Sequence, residues 1–199
     1  MFRMFVSSVI VATAIAAASA ASATVITPVG VTASSEWGIW GPTHYRGINV
    51  INGSGLEAGL HDGDFNNMWL TWEGTSATLD FDLGADYQLT GINIWNYNSD
   101  IELERGAQDF VLSVSLDGVG YSQILAGSLS MGTGGLIPAE SFALDGLARY
   151  VRLDILNNHG GAWVGLSEVN FTAVPEPAAL PLLGAGVGLL GLSLRRRRA

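Results

Sequence analysis

Three histidines (His44, His61 and His159) stand in a chain that has neither cysteine nor lysine. That composition excludes thiol nucleophiles, lysine Schiff bases, disulfides and cysteine-ligated zinc. Ser54 lies between Gly53 and Gly55, but "NGSGL" does not have the G-x-S-x-G spacing of a nucleophile elbow. No glycine-rich loop follows a strand and opens a helix, so nucleotide binding has no support. Carboxylates are so numerous that an acid pair at hydrolase spacing arises by chance. The chain reads as a non-enzyme, and the remaining chemistry is binding, of a cation or of a sugar.

For a cation, "DGDFNNMWLTWE" puts Asp62, Asp64, Asn66 and Glu73 at positions one, three, five and twelve of an EF-hand-type loop. Against this, Asn67 replaces the sixth-position glycine, Met68-Trp69-Leu70 reads as an entering strand, and no helices flank the loop. A solvated acidic turn is the competing reading. For a sugar, the need is an aromatic plate under a pyranose ring and polar groups that fix its hydroxyls. Of six tryptophans, Trp69 and Trp95 fall in strand-like runs and read as core. Trp37, Trp40 and Trp163 fall in loop-like stretches, beside loops that carry His61 and His159. Arg105 is either a hydroxyl donor or the partner of Glu102 or Glu104.

The elements that must position these residues repeat every two residues. "ATLDFDLG" sets Leu79, Phe81 and Leu83 against Thr78, Asp80 and Asp82. Similar alternation runs through "LTGINIWNY", "DFVLSVSLDG", "RYVRLDIL" and, from Val164 to Phe171, the closing stretch. Adding Val25 to Ala33, Ile48 to Ile51 and Tyr121 to Leu125 predicts about eight short strands, with no amphipathic helix. That is an all-β sandwich or barrel. Asp117-Gly118 predicts a tight hairpin turn, and Gly127 to Gly135 predicts a long flexible loop.

The two ends read as addresses. Arg3, an apolar run from Met4 to about Ala18 and the small residues up to Ala23 predict a signal peptide over 1–23. At the other end, 178–194 is an uncharged, mostly apolar stretch, followed by arginines at 195–198. It predicts a short transmembrane helix whose arginine tail stays cytoplasmic. The domain between, 24–173, carries four arginines against seventeen acids, a net charge near −13. Such a field repels phosphate backbones, so no nucleic-acid partner is expected.

The tail, with Val174-Pro175-Glu176-Pro177, a glycine-rich apolar helix and a terminal arginine cluster, resembles the PEP-CTERM sorting signal over 174–199. The resemblance implies a Gram-negative-type bacterium and export to the cell envelope or extracellular matrix. It implies a transient inner-membrane anchor, cut by an exosortase-type sorting protease, and an association with exopolysaccharide and biofilm.

"VTASSEW", "WLTWEGTSATLDFDLG", "TGINIWNYN", "RGAQDFVLSVSLDG" and "ARYVRLDILNNHGGAWVGLSEVNF" follow in that order. Together they resemble the discoidin family, the C-terminal domains of coagulation factors five and eight, which share a jelly-roll sandwich with bacterial carbohydrate-binding modules. The animal members' disulfide is missing, so their lipid binding is not carried over. By position, the resemblance implies a structural Ca²⁺ held by Asn52 and Ser54, from a loop, and Glu168, from the last strand. It also implies a module that binds a glycan or extracellular polysaccharide. A structural matrix protein that meets protein partners is the alternative, and a polysaccharide hydrolase a distant third.

Overall fold

The computed structural model describes residues 23–38 and 44–174. The signal segment, Trp40, the apolar stretch 178–194 and the arginine tail lie outside the described residues. Among those described, no helix is long and apolar enough to cross a membrane.

The described residues form eleven strands: β1 (Thr24–Ile26), β2 (Gly30–Ala33), β3 (Leu56–Glu57), β4 (Leu60–His61), β5 (Trp69–Leu70), β6 (Ala77–Asn96), β7 (Asp109–Ser115), β8 (Ser122–Ser128), β9 (Ile137–Pro138), β10 (Glu140–Ile155) and β11 (Gly165–Val174). All pairings between them are antiparallel. The large sheet runs β1-β11-β6-β10-β7-β8, with β2 on β6 and β5 on β11; β3, β4 and β9 form a small second sheet.

Two strands are long enough to serve both layers of the sandwich. The first part of β6 pairs with β2 and with residues 150–155 of β10. Its second part pairs with β11 and with residues 140–148. Between the parts lies exposed Gly84, at φ 85°, a conformation that a side chain disfavours. The β10 register slips twice at the same level, between Ala143 and Gly146 and between Ala148 and Tyr150. The bend folds the sheet over itself. Phe81, before it, meets Phe171 of β11 edge-on, with ring centres 5.7 Å apart. The alternation read from the sequence puts Leu79, Phe81, Leu83, Leu112, Val151, Leu153 and Ile155 into this core.

Three readings of local structure need correction. Ile48 to Ile51 is not a strand, because Gly47–Val50 is a 3-10 turn. Its buried Val50 and exposed Ile48 answer to a three-residue turn, and so short an apolar run carries no period of its own. The opening strand is two strands, interrupted around Pro28, which has no N–H for a ladder. The loop predicted from Gly127 starts only after β8 ends at Ser128, and it is tied down. Asn98, wholly buried, accepts from the Thr133 and Gly134 amides at 2.9 Å each and donates to the carbonyls of Gly135 and Asp62. Asn98→Ala strands these groups without partners. It should cost about 2–4 kcal/mol of unfolding free energy, read by urea denaturation. A change under 0.5 kcal/mol, roughly a surface substitution's, would mean the loop holds itself.

Candidate functional site

Five separated segments meet at one end of the sandwich. The Trp37 amide donates to the Leu70 carbonyl at 2.8 Å, and the Leu70 amide reaches the Tyr45 carbonyl at 3.4 Å, so β5 is clasped between both stretches. Glu102, at φ 63°, starts the 3-10 turn Leu103–Arg105. The 157–163 loop docks on that turn: the Gly161 amide donates to the Glu104 carbonyl and the His159 amide to the Gly106 carbonyl. Asn158 closes the loop from within, donating to the carbonyls of Gly161 at 2.9 Å and Trp163 at 2.6 Å. These bonds fix Trp163 and Arg105 against each other.

Between the segments opens a pocket of about 430 Å³, lined chiefly by Trp37, Tyr45, Phe65, Ile101, Arg105 and Trp163, with His44, Leu70, Ser99 and Glu102 completing the wall. Its volume suits a small ligand or a short stretch of polymer. Trp37 stands edge-on to Trp163, with centroids 4.8 Å apart, and leans on Trp72 at 4.7 Å. The Arg105 guanidinium lies 4.4 Å from the centre of the Trp163 ring and pairs with Glu102. Arg105 is 8% exposed, so the pair and the stack leave its fork little freedom. The Tyr45 hydroxyl sits 3.3 Å from that of Tyr97, and burial pushes the Tyr45 phenol above its usual range, so it stays neutral. His44 Nδ1 is buried with no hydrogen-bond partner among the described residues. The pocket thus offers aromatic faces, one fixed cation with its counter-charge, and an imidazole nitrogen with unspent capacity.

Of the residues singled out for sugar binding, the structure brings Trp37, Arg105 and Trp163 together. Trp40 lies outside the described residues. His61 is elsewhere: it is fully buried in β4, with Nδ1 3.0 Å from the Asp62 carbonyl. His159 is also outside the lining, with Nε2 3.0 Å from the Leu129 carbonyl. Trp69 and Trp95 are core, as read. Tyr45, Phe65 and Ile101 were missed. Tyr45 and Phe65 are aromatics in glycine- and aspartate-rich stretches outside any period-two run, which was the available signal.

The loop that carries Asn52 and Ser54 reaches Glu168 through the Gly53 amide. Between Leu166 and Glu168 the β11 register slips against β6, and the bulge leaves Gly165 to Val169 all buried. Glu168, only 2% exposed, is therefore turned inside, where Oε2 accepts from the Gly53 amide at 3.1 Å. That is its one hydrogen bond among the described residues, and burial pushes its carboxyl up to about 7. Ser54 Oγ is buried with no partner among them. Two hard oxygens short of partners suit Ca²⁺. The Asn52 side chain accepts from the Ser54 amide at 2.8 Å and donates to Asn49 at 3.1 Å, which leaves Oδ1 one lone pair for an ion.

The alternative loop does not converge. Asp62 accepts from the Asp64 amide and from Asn67, while Asp64 caps the 3-10 turn Phe65–Asn67 by accepting from Asn66. Asp62, Asp64 and Glu73 do not assemble an ion site; among the described residues no three acids or histidines do. The acids here order a turn.

The F5/8 type C domain model matches residues 30–169. The chain belongs to this family. Residues 173–198 match the PEP-CTERM protein-sorting motif, the mark of an exported protein processed at the cell envelope. Comparison with curated proteins gives no match.

Among solved structures, the F5/8 type C domain is similar to the CBM32 module of AlyQ, in complex with 4,5-unsaturated mannuronic acid. That match has a TM-score of 0.55 at 21% identity and covers 74% of this chain and 97% of that one. It is similar to a Clostridium perfringens CBM32 module in complex with GalNAc-β-1,3-galactose, with a TM-score of 0.54 at 21% identity, covering 74% and 99%. A third is the family 32 module of C. perfringens NanJ in complex with galactose, with a TM-score of 0.55 at 17% identity, covering 75% and 98%. At such identities the likeness is one of fold.

Proposed function

We propose that this F5/8 type C domain is an exported, non-catalytic module that binds a glycan or extracellular polysaccharide in the pocket between Trp37 and Trp163. The observation that carries the reading is the Arg105 guanidinium, paired with Glu102 and held over the Trp163 face inside an aromatic pocket. Ring faces take the C–H surface of a sugar, while the guanidinium fork and the carboxylate serve its hydroxyls as donor and acceptor. The sugar complexes of the CBM32 neighbours support the same reading. The sorting motif supports delivery across the inner membrane; on this reading 1–23 acts as a signal peptide and the apolar stretch 178–194 as an anchor until an exosortase cuts it. The processed domain then works in the envelope or matrix.

Glycan arrays and pull-downs with envelope polysaccharide should give binding that saturates. Blank arrays and pull-downs, with and without Ca²⁺, combined with capture of envelope proteins, would instead establish an adhesive matrix protein.

We further propose a structural Ca²⁺ held by Glu168 and Ser54, with Asn52 contributing from the loop. When bound, the ion supplies positive charge to a buried carboxylate and ties that loop to the last strand.

A further inference from the structure

The domain's cations are all spoken for. It has no lysine, and each of its four arginines is paired: Arg46 with Glu36 at 2.9 Å, Arg105 with Glu102, Arg149 with Asp82 at 3.4 Å and Arg152 with Asp80 at 2.7 Å. A carboxylate or sulfate on a polymer therefore meets no unpaired arginine among the described residues. To reach Arg105 it must displace Glu102 and then lie beside it. The stretches that build the pocket carry further acids. Asp64 precedes Phe65, Asp100 stands between Ser99 and Ile101, and Glu104 precedes Arg105; all three are exposed, as is Glu102.

Aromatic faces and surplus carboxylates favour the same partner. An ammonium group is attracted to the negative face of Trp, Tyr or Phe, and Trp37, Tyr45 and Phe65 line the pocket beside Trp163, one face of which already carries Arg105. A domain field near −13 concentrates cationic polymer at the mouth and disperses anionic polymer.

We infer, resting on the glycan reading, that the pocket takes a polysaccharide bearing free amino groups, a polymer of protonated amino sugar, and rejects uronates and sulfated chains. N-acetylation removes the charge and keeps the ring, which makes it the discriminating change.

The test is calorimetry of the purified protein, at about 0.15 M salt so that long-range attraction is screened. The probes are a β-1,4-linked glucosamine oligomer, the same oligomer fully N-acetylated, and a polyuronate of equal length. The glucosamine oligomer should bind at least tenfold more tightly than its N-acetylated form, and the polyuronate should not bind. The double substitution Asp100→Asn with Glu104→Gln, at exposed positions that leave the fold intact, should weaken the glucosamine oligomer three- to tenfold and leave the N-acetylated one unchanged. Equal affinity for the two oligomers, or binding of the polyuronate, overturns the inference and leaves the glycan reading standing. Glucosamine binding that survives Trp163→Ala undiminished also overturns it, since bulk charge then does the work. Failure with all three probes and with every neutral glycan removes both.

Discussion

Trp163→Ala should weaken glycan binding by about thirtyfold or more, the loss that follows when an aromatic anchor at the centre of a binding site is truncated. Trp163 is the point at which three features of the pocket join. It stands against Trp37, carries the Arg105 guanidinium on its face, and packs on the small cluster of Met68, Leu70 and Tyr97. Its removal deletes a ring of the pocket wall and also frees the arginine from its stack. Arg105→Lys separates these contributions. The lysine keeps the charge but has no planar fork to pair with Glu102 while facing a ligand, so binding should still fall about tenfold. Trp72→Ala is the control. Trp72 leans on Trp37 yet does not line the pocket, so its loss should cost no more than about threefold. Circular dichroism and melting curves separate loss of binding from loss of fold. If folded Trp163→Ala protein binds every glycan that the parent binds with unchanged affinity, the sugar site lies elsewhere on the domain.

That this pocket was half legible in the sequence has a physical reason. Strand residues declare themselves by alternation, so Leu79, Phe81 and Leu83 could be placed in the core from the pattern alone. Loop residues carry no such period. Trp37, Arg105 and Trp163 stood out because tryptophan and a lone arginine are conspicuous in acidic, glycine-rich loops. Ile101 and Ser99 did not, because nothing local says that the 97–105 stretch will face residue 37. The hydrogen bonds that bring them together come from elsewhere: Asn98 fixes one side of that stretch, and the 157–163 loop fixes the other. His61 shows the converse. It sat in an apparent loop, but two-residue strands on either side, at Leu56 and Ile137, enclose it. Strands so short leave almost no pattern to read.

Glu168→Gln should raise the melting temperature at pH 8 in EDTA, an unusual result for a buried polar residue. Folded, the carboxyl keeps its proton up to about 7, whereas its ordinary value is 4.5. Between those values the folded chain holds more proton than the unfolded one. The stability this contributes is complete below about 4.5 and is lost as pH rises through about 7. The span corresponds to about 3 kcal/mol, or very roughly 6–12 °C for a domain of this size. Glutamine keeps an acceptor for the Gly53 amide and carries no charge, so it should escape the loss. Ca²⁺ should reverse the order. At pH 8 with the ion about a hundredfold above its dissociation constant, the parent should gain about 2.7 kcal/mol while Glu168→Gln stays where it was. An identical shift in both proteins, or in neither, removes the ion from this site. A parent that is as stable in EDTA at pH 8 as at pH 5 removes the buried proton as well. The two arms rest on one cause, since a buried carboxylate with a single amide partner is stabilised by keeping its proton or by taking a cation.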